Sequence, residues 1–168
     1  METEEVLKNK NSKEFILKAV KEKGKFLELA SEELQDDKEV VTAALEQDAE
    51  SLEFASDRLK NDKEIIMLGI KGAPWTICYA SEKLRADKEI LLEACKNYGQ
   101  ALYFASEELR DDEEVVRLAV ENKGIIIKYA SNRLLHNKEI ALIAVKQNKQ
   151  AYKFLPKELR DDEEIKAI

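Results

Sequence analysis

The chain has 168 residues, of which 44% are hydrophobic and 38% charged, and its formal net charge is −7. This length and apolar content support one domain with a core, and the acidic balance argues against generic nucleic-acid binding. The longest apolar runs are far too short to span a bilayer, so no membrane partner is expected.

Residues 1–11 carry no pattern that recurs and read as an N-terminal cap. No leader peptide is read there, because acidic residues follow Met1 where a basic and then an apolar run would stand. From Ser12 the chain repeats itself every 25 residues. Ala30-Ser31 recurs at Ala55-Ser56, Ala80-Ser81, Ala105-Ser106 and Ala130-Ser131, and Leu34 recurs at the same step as far as Leu159. A fixed period of this length marks a stacked repeat architecture.

Each repeat opens on a short polar residue: Ser12, Asp37, Asp62, Asp87, Asp112, Asn137 or Asp162. Such side chains cap a helix N-terminus, and the Glu two places later suits the positive end of the helix dipole. An i, i+1, i+4, i+5 apolar stripe follows (Val40, Val41, Ala44, Leu45 in one repeat), predicting an amphipathic helix of about three turns. A break comes next, at Gly24, Ala49, Pro74, Gly99, Gly124 and Lys149. Glycine there predicts a left-handed residue after the helix, and Pro74 predicts the start of the next one. A second, shorter helix should carry Leu52, Phe54 and Ala55 or their equivalents. The Ser after each Ala then caps a further turn. Residues 12–161 make six such repeats, and 162–168 begin a seventh that is cut short. The fold class read from this is all-α: an α-solenoid of six 25-residue two-helix repeats with partial terminal caps, whose open ends could support an oligomer.

The slot held by Ala19, Ala44, Gly69, Ala94, Ala119 and Ala144 accepts only small residues, as does the Ala30 to Ala130 slot. Small residues at fixed slots mean close approach of backbones. Ala105→Leu should therefore overpack and cost about 1–3 kcal/mol of stability, measurable as a lowered melting temperature.

The residues bearing on chemistry are sparse or repeated. The single histidine, His136, occupies a turn slot held elsewhere by Asp36, Asn61, Ala86, Asp111 and Asp161, so it reads as a turn residue rather than a general base. The recurring serines read as caps. The pairs Asp36-Asp37, Asp111-Asp112 and Asp161-Asp162 lack the alternating ligands and turn glycine of a calcium loop. Cys78 and Cys95 have no metal-type spacing and read as unbridged thiols of a cytoplasmic protein. No phosphate-cradling loop is present, so no cofactor, metal or enzymatic activity is expected.

The remaining signal lies where repeats differ. Trp75 and Ile125 replace the polar Lys25, Glu50 and Gln100; Cys78 and Tyr103 replace Glu28 and Glu53; Tyr98 replaces Lys23 or Asp48. Trp75, Cys78, Tyr98, Tyr103 and Ile125 thus read as an aromatic hot spot for another protein, or else as additional core between repeats. A second candidate surface is basic: Lys123, Lys128, Arg133, Lys146, Lys149 and Lys153, with Tyr129 and Tyr152 nearby, the ingredients of single-stranded nucleic-acid binding. Residues 28–57 hold eleven acids and one base, whereas 117–160 hold ten bases and three acids. This asymmetry predicts a charge dipole along the stack, suited to a complementary partner.

The run Phe104-Ala105-Ser106-Glu107-Glu108-Leu109-Arg110-Asp111-Asp112-Glu113-Glu114-Val115-Val116, continued by Ala119-Val120, Asn122 and Gly124, resembles the tandem repeat of a bacterial and protist family known as domain of unknown function 4116. The resemblance extends over nearly the whole chain and departs at Gly72-Ala73-Pro74-Trp75. It implies an all-α repeat scaffold and brings no catalytic residues. The reading is a non-enzymatic protein-interaction scaffold. Its rivals are a small inhibitor or regulator of a nucleic-acid-handling enzyme, of mobile-element type, and a direct binder of single-stranded nucleic acid through the basic C-terminal repeats.

Overall fold

A computed structural model describes all 168 residues as helices and turns, without a strand. They fall into two compact units, Met1–Leu84 and Arg85–Ile168. No helix is long and apolar enough to cross a membrane.

In the first unit the short helix Thr3–Lys8 precedes the ten-residue helices Lys13–Glu22, Lys38–Gln47 and Lys63–Gly72. In the second, the ten-residue helices are Lys88–Asn97, Glu113–Asn122 and Lys138–Gln147, and Glu163–Lys166 forms a last turn. Each begins where its cap predicts. Asp37, Asp62, Asp87, Asp112 and Asp162 each accept two backbone N–H groups through one carboxylate, while Ser12 and Asn137 each accept one. Within each unit these helices pack side by side on their apolar stripes, with Val40, Val41, Ala44 and Val115, Val116, Ala119 fully buried.

The second element of each repeat differs from expectation. It is a six-residue 3₁₀ segment and not a short α-helix: Gly24–Leu29, Ala49–Phe54 and Pro74–Tyr79 in the first unit, and Gly99–Phe104, Gly124–Tyr129 and Lys149–Phe154 in the second. Its innermost residues recur at a step of three: Gly24, Leu27 and Ala30 are buried, as are Gly99, Leu102 and Ala105, and Gly124, Ile127 and Ala130, with Phe26, Ala101 and Ile126 also buried beside them. A step of three matches the three residues per turn of a 3₁₀ helix, in which i and i+3 eclipse. The residues one place later, such as 25 and 28 or 125 and 128, consequently stack on the outer face.

The glycines at the break are not left-handed either; no residue has positive φ. The turn is made by the extended residue before them (Lys23 at φ −150, ψ 106), and the glycines answer to the next repeat. A Cβ on Gly24 would lie 2.5 Å from the Ala44 carbonyl oxygen, and one on Gly99 equally close to that of Ala119; Gly124 sits tighter still against Ala144. The same glycines donate their N–H to the side-chain carbonyls of Gln47, Asn122 and Gln147. Where the slot carries Ala49, the opposing helix ends in Gly72 in place of Gln or Asn, and a Cβ there would come within 2.7 Å of the Ala49 Cβ.

Two further ladders join successive repeats. The amides of Ser31, Ser56 and Ser81 donate to the carbonyls of Lys10, Gln35 and Lys60, and those of Ser106 and Ser131 to Arg85 and Arg110. Pro156, in the same slot, has no N–H to continue the series. On the helix side, Lys13 pairs with Asp37 and Glu39, Lys38 with Asp62 and Glu64, Lys88 with Asp112 and Glu114, and Lys138 with Asp162 and Glu164. Glu113 breaks the lysine series, and Arg117 takes over the contact to Glu139.

Gly124→Ala should lower the free energy of unfolding by about 1–3 kcal/mol, since its Cβ meets backbone that cannot swing aside. Lys149→Ala, in the same slot but exposed, should stay within about 0.5 kcal/mol of the parent. Urea denaturation of both variants checks the contrast.

Candidate functional site

The varying residues divide between the two units, Trp75 and Cys78 on the first and Tyr98, Tyr103 and Ile125 on the second. On the first unit, Trp75 is 47% exposed and Cys78 is exposed one turn further on. The slots before them hold Lys25 and Glu28, then Glu50 and Glu53. Lys25 Nζ lies 2.8 Å from the Glu50 carboxylate. The Lys25 ammonium, and after it the Trp75 side chain, hold the Glu50 carboxyl below its ordinary range. Trp75 is thus laid across the surface next to acids and is not tucked into the core.

On the second unit, Tyr98, Tyr103 and Ile125 line one open groove of about 400 Å³ together with Gln100, Lys123 and Lys128. Tyr98 is the residue that ends helix Lys88–Asn97, and it is half-buried. Tyr103 is 50% exposed and stands edge-on to both Phe104 and Tyr129, with ring centroids 5.0 Å apart in each case. These contacts fix the ring while leaving half of it to solvent. Ile125 is half-buried, whereas Ile126 and Ile127 beside it are core.

The candidate basic residues divide by what they touch. Arg133 is bound to Asp111 through Nε at 3.0 Å and belongs to the joints between repeats, as Arg58 does with Asp36. The Ser131 hydroxyl and Arg133 hold the Asp111 carboxyl below its usual range, and Ser56 with Arg58 act alike on Asp36. Lys146 is exposed on helix Lys138–Gln147, away from the groove residues in sequence and in element. Lys123 and Lys128 line the groove, and Lys149 and Lys153 are exposed on the adjoining 3₁₀ segment. Lys128 Nζ sits 4.8 Å above the Tyr129 ring, and Lys153 Nζ 5.0 Å above that of Phe154.

Across residues 98–104, 123–129 and 148–154 there are four lysines and no acid. The matching residues of the first unit, 23–29, 48–54 and 73–79, hold four acids (Glu28, Asp48, Glu50, Glu53) and two lysines. Sequence reasoning grouped Trp75, Cys78, Tyr98, Tyr103 and Ile125 as one cluster and missed the stacking of the 3₁₀ segments on which they stand. The three-residue spacing of Gly24, Leu27 and Ala30 was the available signal.

The other chemically suggestive residues are accounted for locally. His136 is exposed, and its Nδ1 lies 2.7 Å from the Asn132 carbonyl oxygen. Ser56, Ser81, Ser106 and Ser131 accept the N–H three residues on, as caps do. Cys95 is buried, and burial pushes its thiol up to about 12.

Neither the curated proteins nor the solved structures give a match to this chain. A family model does, four times in tandem, over residues 12–60, 37–85, 62–110 and 112–160, each match spanning two successive repeats. With the whole repeat array so covered, the chain belongs to the family described as Domain of unknown function (DUF4116).

Proposed function

We propose that this chain is a non-enzymatic helical repeat that binds another protein through the outer face of its 3₁₀ segments, with the Tyr98, Tyr103 and Ile125 groove as the centre of contact. One observation carries the reading. Many charges of the helix side are paired in the ladders between repeats, whereas the groove strip pairs half-exposed aromatic and aliphatic side chains with lysines that meet no carboxylate within it. A rigid, partly exposed aromatic ringed by polar side chains is the anatomy of an interaction hot spot. Unbridged Cys78 and Cys95 go with a cytoplasmic setting.

The nucleic-acid reading has less support in this geometry. Base stacking needs open ring faces, and lysine ammonium groups already occupy those of Tyr129 and Phe154. The regulator reading leaned on the acids of residues 28–57. Of these, Asp36, Asp37 and Glu39 are committed to Arg58 and Lys13.

Affinity capture from native lysate, with wild type beside Tyr103→Ala, tests the assignment. Tyr103→Ala gives up two edge-on ring contacts, about 0.5–1.5 kcal/mol each, so the variant should remain folded by circular dichroism. Loss of about tenfold or more of a captured protein is expected. Undiminished capture, or recovery of nucleic acid in its place, would overturn the reading.

A further inference from the structure

The two outer strips complement one another, in charge and in the order of their layers. Along the first unit an acidic layer, Glu53 and Glu50 (the latter also shared with Lys25 of the preceding layer), is followed by an apolar one, Trp75 and Cys78; their 3₁₀ segments are in contact. Along the second unit the aromatic layer comes first, Tyr103 on its segment and Tyr98 just before it, and the layer with Lys128 on its segment, Lys123 just before it and Ile125 between them comes after; the two segments are in contact. Laid antiparallel, the first strip sets its acids on the lysines and its indole on the tyrosines. Laid parallel, acids would face rings and the lysines would face Trp75. Both strips are built from the same 3₁₀ segment at the same 25-residue step, so their layers share one spacing.

We propose that the occupant of the Tyr98, Tyr103 and Ile125 groove is the first unit of a second copy of this chain, with Trp75 of that copy as the anchor and its Glu50 and Glu53 meeting Lys123 and Lys128. The proposal rests on the protein-binding reading above and names the partner. Three observations single out a second copy. Trp75 is 47% exposed, the one exposed aromatic side chain of its unit's 3₁₀ face, and its indole already lies beside Glu50. The groove strip offers lysines and no acid. Tyr103, which lines the groove, is held edge-on by its neighbours and stays half exposed. Opposite charges meeting across such a surface steer encounter and fix register, and they weaken with salt.

Sedimentation of the full chain over a range of concentrations and salt tests this. Wild type should associate, and the association should weaken about tenfold or more between low and high salt. Lys123→Glu/Lys128→Glu should be monomeric, because its groove then repels its own acidic strip. Glu50→Lys/Glu53→Lys should be monomeric for the opposite reason. An equimolar mixture of the two variants restores opposite charges at both contacts and should associate again, an outcome that misfolded variants could not give. A wild-type chain that stays monomeric, or variants that associate as wild type does, would overturn the self-pairing. If the wild type is monomeric while Tyr103→Ala still loses a captured protein, the groove remains a protein site with a different occupant. If neither effect is seen, both readings fall.

Discussion

At Gly24, Gly99 and Gly124 successive repeats are held together by a backbone approach that leaves no space for a Cβ. The amide at the start of one 3₁₀ segment reaches the end of the next long helix, where a Gln or Asn side chain accepts its hydrogen. A buried amide without an acceptor is costly, so the contact demands glycine on one side and a carboxamide on the other. The exchange at Ala49 and Gly72 shows the constraint from the opposite direction: once the first side gains a methyl group, the second gives up its side chain. Everything on the outer face follows from this docking, because it fixes which residues of the 3₁₀ segment turn inward.

The charges of the chain separate accordingly. Lysines that open the long helices reach the cap and first-turn acids of the following repeat, and the arginines at 58 and 133 reach the turn acids before them. Individually such exposed pairs contribute little, but their regular recurrence means that most charges on the helix side already have partners. The 3₁₀ face lacks that order. Its slots differ from repeat to repeat, acidic in one unit and basic in the other, with aromatic side chains between.

The period, the caps and the long helices were legible in the amino-acid sequence because each rests on local rules: a side-chain oxygen before a helix, an apolar stripe at helical spacing, a recurrence that stacking alone explains. The serine caps and the turn role of His136 were legible for the same reason. The break was misread, since a glycine after a helix suggests a left-handed residue, and only the neighbouring repeat shows that the glycine is there for lack of a Cβ. The second helix was misread because Leu52, Phe54 and Ala55 were placed on an α-helix, and the three-residue step of Gly24, Leu27 and Ala30 was not weighed against it.

Sequence alone therefore determined the all-α repeat architecture and the residues that depart from it, since both are properties of the chain read against itself. Tertiary structure decided where those residues stand. It separated Arg133, spent on Asp111, from Lys123 and Lys128, which line a groove, and it set Tyr103 half-open beside the core residue Leu102. Those distinctions depend on which side of a three-residue turn faces the next repeat, and that is settled by contacts 20 to 26 residues apart in the chain, beyond the reach of any local rule.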